Sequence, residues 1–251
     1  MTTASGTKPG SSGVFKYELL LVLTAVIWGF AFPAQQIGME KGLGPMTFNG
    51  LRFALGCLAL VPVILWNRKN QAGDAAGASF PYWGSFAAGF FLFAAAAAQQ
   101  IGLKYTSSAN SGFITSFYIL FVPLIGLMFR QRTGRSLWVG IAICLVGFYL
   151  LSMTGEFRIG RGDAWTVACA VLFAAQILVV DRIAGRSDSI QIAAFQFAVC
   201  AALSMAGGWL FERCVWSQVQ AAAVAIAYTG ICSVGIGYTL QVVCQKRCPP
   251  G

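Results

Sequence analysis

Trp28, Phe32, Gln35 and Gln36 recur at i, i+4, i+7 and i+8 in the run AVIWGFAFPAQQIG, so a helix sets them on one face. Aromatic surface beside amide groups suits a small zwitterion with an apolar or aromatic side chain. The same stripe also reads as aromatic packing with interfacial glutamines. A second face, Asn110, Phe113, Phe117 and Tyr118, is followed by Pro123. A proline inside a helix frees a carbonyl and bends the chain, which makes a hinge or a binding position, and Pro33 and Pro62 have the same capacity. Asn49, Gln99, Gln100, Gln176, Gln196, Tyr238 and Gln241 add polar groups to otherwise apolar runs. They either line a polar path or hydrogen-bond between helices, for about 1 kcal/mol each. Arg52 is the one charge inside such a run. It reads as a carboxylate-binding group or as a long side chain snorkelling to an interface.

Hydrolysis or group transfer would ask for an assisted nucleophile, paired carboxylates or a metal cluster. The chain has no histidine, no H-E-x-x-H and no P-loop, and Ser107, Ser108 and Ser111 have no base to activate them. Cys244 and Cys248 stand as C-x₃-C without a second pair, so no zinc site is expected. No catalytic residue, metal or cofactor is expected. Cys57, Cys144, Cys169, Cys200 and Cys232 read as small apolar residues.

The elements that must position these groups are long apolar helices. Hydrophobic residues make up 57% of the 251 and charged ones 10%, against about a quarter charged in soluble domains. This composition implies an all-α integral membrane protein, a polytopic helical bundle. Eight segments lie between the charges, near 19–38, 47–66, 81–103, 109–129, 136–153, 163–180, 189–211 and 218–242. Residues 1–13 are small and polar and read as a disordered tail.

The net charge of +9 is scattered singly between helices, which speaks against nucleic acid. With the N-terminus in the cytoplasm, one side holds Lys8, Lys16, Arg68, Lys69, Arg130, Arg132, Arg135, Arg182, Arg186, Lys246 and Arg247. The other holds Lys41, Lys104, Arg158, Arg161 and Arg213, an asymmetry that favours this orientation in an inner (plasma) membrane. Ala94 to Ala98, and Gly140 with Gly147, read as small residues for close helix packing.

Displacing the sequence by 142 residues brings Gln99 onto Gln241 and Lys104 onto Lys246, and helices 1 to 3 are echoed by 6 to 8. Five helices per unit is an odd number, so the second copy enters the membrane inverted. This reading divides the chain into a first repeat over 14–155 and an incomplete second repeat over 156–251. It takes the eight helices as part of a ten-helix fold, with the chain stopping before helices 9 and 10, by truncation or as a natural eight-helix form.

The stretches AVIWGFAFPAQQIG, GPMTFNGLRFALG and IGLKYTSSANSGFITSFYILFVPLIGLMF resemble the first unit of the EamA family of drug/metabolite transporters, and GYTLQVVCQKRCPP resembles the third helix of a second unit. The likeness is greatest to the YddG-type exporters of aromatic amino acids. The resemblance implies a central cavity, alternating access and outward movement of small metabolites, with aromatic or other neutral amino acids favoured. The alternatives are a multidrug exporter, or a non-transporting fragment or assembly subunit that self-associates. The partners expected are a small-molecule substrate and the lipid bilayer. No Asp, Glu or His lies inside any expected span, so proton coupling has no group to carry it. An imposed pH gradient is therefore expected to leave the equilibrium distribution of labelled phenylalanine in proteoliposomes unchanged; accumulation driven by the gradient would refute this.

Overall fold

The structure, a computed structural model, describes residues 11–70, 80–128, 134, 138–143, 146, 160–183 and 188–245. Its elements are α1 (Ser11–Glu40), α2 (Pro45–Asn70), α3 (Tyr82–Leu103), α4 (Ser108–Thr115), α5 (Tyr118–Met128), α6 (Arg161–Ile183), α7 (Ser189–Phe211), α8 (Trp216–Ala221) and α9 (Ala223–Ala227). A π-helix (Tyr228–Gly237) and α10 (Tyr238–Gln245) follow, and no strand occurs among the described residues. Seven spans among these residues are long and apolar enough to cross a bilayer. Most of the expected span over 136–153 lies outside the described residues, as do Cys144, Gly147 and Cys248, although 138–143 are helical.

The chain folds as helices because about 30 Å of hydrocarbon offers no partner for a backbone N–H or C=O, and a helix satisfies both internally. The 22 residues of α3 extend roughly 33 Å at 1.5 Å per residue, enough to cross. Exposed Phe15, Leu19, Val22, Val26 and Phe30 repeat at helical spacing along α1 and present an apolar outer face to lipid. Exposed Trp66, Tyr82 and Trp83 gather at one end of the bundle, and Tyr105, Trp165, Trp209 and Trp216 at the other. Rings of this kind sit at the two membrane interfaces.

α3 is the innermost span and packs chiefly along α6, and also against α7; α2 packs along α7 and the π-helix, and α1 against the π-helix and α10. The core joins Phe53 and Leu60 of α2, Leu92 and Ala96 of α3, Phe197 and Cys200 of α7, and Val234 of the π-helix. Helix association in lipid depends on close packing, so small residues mark the contacts. Ala95 to Ala98 are buried, and a Cβ on Gly162 would lie 2.8 Å from the carbonyl oxygen of Gly102. The expected pairing of Gly140 with Gly147 falls largely outside the described residues.

Two expected spans are interrupted. The segment 109–129 breaks at Ser116 and Phe117, where Ser116 Oγ donates to the carbonyl of Gly112 at 2.9 Å and Phe117 N donates to Ile114 O at 3.1 Å. A hydroxyl bonding back one turn bends a helix, and the i→i−3 bond tightens it. The segment 218–242 becomes α8, α9, the π-helix and α10. Glycines bring the π-helix onto its neighbours: a Cβ on Gly230 would lie 2.9 Å from the carbonyl of Arg52, and one on Gly237 2.7 Å from Trp28 Nε1.

At the end of the bundle where α1 gives way to α2, Glu212 closes the structure. It follows α7, and its carboxylate accepts from Met46 N at 2.8 Å, Thr47 N at 2.8 Å and Thr47 Oγ1 at 2.7 Å. These are the free donors of the first turn of α2, where the helix dipole also favours an anion. At the same end, Asp163 accepts from Thr106 Oγ1 at 2.7 Å and from Gly160 N at 2.9 Å, tying the start of α6 to the turn after α3. Glu212→Ala is expected to cost about 1–2 kcal/mol, with Glu212→Gln intermediate, read as a lowered Tm in detergent. An unchanged Tm in both variants would remove the carboxylate from the account of this end.

Candidate functional site

Arg52 lies seven residues into α2 and is only 4% exposed. Its side chain is enclosed by the bundle. Nη1 donates to Gln35 Oε1 of α1, and Gln35 Nε2 in turn donates to the carbonyl of Ala31 at 3.0 Å. The Nε of Arg52 has no hydrogen-bond partner, and among the described residues no carboxylate is in ion-pair contact with the guanidinium. Cys169 of α6, Cys200 of α7 and Tyr238 of α10 lie within electrostatic reach of it. A cation is thus buried among the helices, about two turns in from the start of α2, with a neutral amide as its hydrogen-bond partner.

Rings surround it. The guanidinium carbon stands 4.9 Å from the ring centroid of Phe53, and Phe53 meets Phe197 of α7 at 5.9 Å. Phe197 meets Tyr238 at 5.2 Å, and Tyr238 meets Trp28 of α1 at 5.2 Å. Trp28 is fixed by its Nε1, which donates to the carbonyl of Ser233 in the π-helix at 3.1 Å. Four helical spans therefore contribute to one aromatic arc that ends on a positive charge.

Of the residues expected from sequence, the fold brings Trp28, Arg52 and Tyr238 into this arc, with Gln35 beside them. Gln241 is half-buried on α10, almost one turn beyond Tyr238. Asn49, three residues before Arg52, is wholly buried, and neither its Oδ1 nor its Nδ2 has a partner. The remainder lie outside the arc. Gln36 Oε1 accepts from Ser108 N at 2.9 Å and so caps α4, while Phe32 stands against Gly112. Gln99 Nε2 donates to Thr115 Oγ1 at 3.3 Å, and Gln176 Nε2 to Gln196 Oε1 at 2.7 Å. Asn110 is exposed, Phe113 and Phe117 pack together at 5.8 Å, and Tyr118 is half-buried at the start of α5. Sequence reasoning missed Phe53 and Phe197. Their adjacency to Arg52 and Gln196 was the only signal, because spans that are apolar nearly all round conceal which face is inward.

Residues 15–153 match the EamA-like transporter family, more than half of the chain. The chain belongs to that family. An uncharacterized transporter of Archaeoglobus fulgidus is 32% identical over 195 residues, which are 76% of this chain and 58% of the relative. The chain therefore spans less than two thirds of that relative's length. A crystal structure with 22% identity superposes with a TM-score of 0.67, over 92% of this chain and 80% of the other, and shares the fold. With seven apolar spans among the described residues, it has the architecture of a multi-pass membrane protein of that family.

Within such a bundle the Arg52–Gln35 contact has a measurable weight. Gln35→Leu is expected to lower stability by about 1–3 kcal/mol, because it strips a buried cation of its hydrogen-bond partner. The double replacement Gln35→Leu with Arg52→Leu, which removes both polar groups, is expected to restore most of that loss. Thermal unfolding in detergent distinguishes this from additive losses, which would show that the two side chains do not act together.

Proposed function

We propose that this chain carries small carboxylate-bearing metabolites with an apolar or aromatic body, aromatic and other neutral amino acids among them, across an inner membrane. The observation that carries the reading is Arg52, enclosed and without a carboxylate partner among the described residues, at the end of the arc Phe53, Phe197, Tyr238 and Trp28. The guanidinium offers paired donors to a carboxylate, and the rings offer apolar surface for the remainder. A buried positive group disfavours cationic drugs, so a multidrug role is the weaker reading. Asn49 and Gln241 flank the arc as further polar contacts, and Gln36, Gln99, Gln176 and Gln196 hold helices in place around it.

Alternating access in this reading rests on two inverted units, 14–155 and 156–251, with the N-terminus cytoplasmic. Support comes from the packing pattern: α1 lies against the π-helix and α10 much as α6 lies against α3, and α2 pairs with α7. The 142-residue displacement also relates Thr24, whose Oγ1 donates to Leu20 O at 2.9 Å, to Thr166, whose Oγ1 donates to Gly162 O at 2.9 Å. The acids of the spans, Glu18, Glu40, Asp163 and Asp181, all lie in their terminal turns rather than at mid-span, and the chain has no histidine, so flux runs down a gradient or by exchange.

Efflux of labelled phenylalanine from proteoliposomes holding the 251-residue chain tests this reading. Saturable flux is expected, with unlabelled tryptophan competing and a cationic dye not competing. Arg52→Ala and Trp28→Ala are each expected to reduce flux at least tenfold, about 1.4 kcal/mol or more in transition-state terms. Flux that is indifferent to both substitutions would place the substrate path elsewhere.

A further inference from the structure

Charge balance around Arg52 narrows the substrate class further, and this step rests on the site just proposed. We infer that the site prefers an aryl monocarboxylate that lacks an ammonium group to the corresponding amino acid. The guanidinium contributes one positive charge, and its direct partner Gln35 is neutral. Among the described residues no acid is in ion-pair contact with it, and the acids of the apolar spans, Glu18, Glu40, Asp163 and Asp181, lie in the terminal turns. Two carboxylates at the α1–α2 end are committed, Asp163 to Thr106 and Gly160, and Glu212 to Met46 and Thr47. A monoanion therefore leaves the site neutral, a zwitterion leaves one positive charge, and an amine leaves two.

Acceptors point the same way. An ammonium withdrawn from water needs oxygens or a counter-charge to replace its hydration. Three acceptors beside the guanidinium and the arc already have donors: Gln35 Oε1 takes Arg52, Ala31 O takes Gln35, and Ser233 O takes Trp28. Asn49, and Gln100 on α3, each offer one unpartnered amide oxygen, which is a dipole rather than a charge. The ring faces of Trp28 and Tyr238 add cation–π attraction of about 0.5–2 kcal/mol, short of a full counter-charge. Among the amide and guanidinium groups the donors exceed the acceptors by one, since Asn49 and Gln100 each leave one of both kinds and Arg52 Nε lacks an acceptor. Unused donors beside an uncompensated cation fit a carboxylate and leave an ammonium unserved.

Three probes isolate the two charges: 3-phenylpropanoate, phenylalanine and 2-phenylethylamine differ in the ammonium and the carboxylate alone. Titration calorimetry on the full chain in lipid nanodiscs at pH 7 is expected to give an affinity for 3-phenylpropanoate at least tenfold above that for phenylalanine, about 1.4 kcal/mol, and no measurable binding of the amine. Arg52→Gln should remove most of the difference between the first two, and Arg52→Lys, which keeps the charge, should preserve their order. Equal or tighter binding of phenylalanine, with Arg52→Gln weakening both, overturns the charge preference and leaves the site intact. Binding of none of the three, or binding indifferent to both Arg52 variants, overturns the site itself and this inference with it.

Discussion

A guanidinium enclosed by helices in a bilayer is the constraint to which much else in this structure answers. Removing such a charge from water costs several kcal/mol even after local relaxation. Gln35 offsets part of that cost, and Ala31 holds Gln35 in the orientation that makes it an acceptor. The amide matters as an acceptor rather than as a counter-charge: it satisfies one N–H and leaves the positive potential largely in place. A carboxylate in the same position would have neutralised Arg52 permanently. The neutral partner keeps the charge available, at the expense of stability.

Around that point the spans are held with unequal firmness. The α1–α2 end is tied by directional bonds, from Glu212 to the first turn of α2, from Asp163 to Thr106, and from Gln36 to the first N–H of α4. Each places an oxygen where helix geometry leaves donors unsatisfied, so each defines a distance and an angle. The middle is held by rings and small residues. Contacts of that kind attract without strict direction and tolerate sliding. The π-helix belongs to this softer region, and the wider turn of such a segment commonly marks a functional position within a span.

Helix identity was legible because hydrocarbon thickness dictates apolar runs of about 20 residues, and the runs ending near Asn67, Leu103, Ile183 and Phe211 correspond closely to the observed spans. The interruptions were not legible. Ser116 bends its helix through a bond to Gly112, and the π-helix forms where Gly230 and Gly237 let α2 and α1 approach; neither cause has a sequence period. The candidate site was legible in part, since a charge or an aromatic–amide face inside an apolar run is conspicuous, and the fold brings Trp28 and Arg52 into one arc. Phe53 and Phe197 were hidden among equally apolar neighbours. Gln36, Gln176 and Gln196 drew attention for their chemistry, and only the fold shows the amide of each engaged with another helix.

The ring pairs have one further mechanical property. Trp28 meets Tyr238, and Phe53 meets Phe197, so each pair joins a helix from the first part of the chain to one from the last. Motion of one part against the other must pass through these contacts. Tilted rings about 5 to 6 Å apart can slide to new offsets while keeping most of their dispersion attraction, whereas the bonds made by Glu212 must break outright to admit a comparable displacement. The rings of the proposed site are therefore also the contacts that tolerate displacement between the two parts, whereas the carboxylate bonds at the α1–α2 end do not.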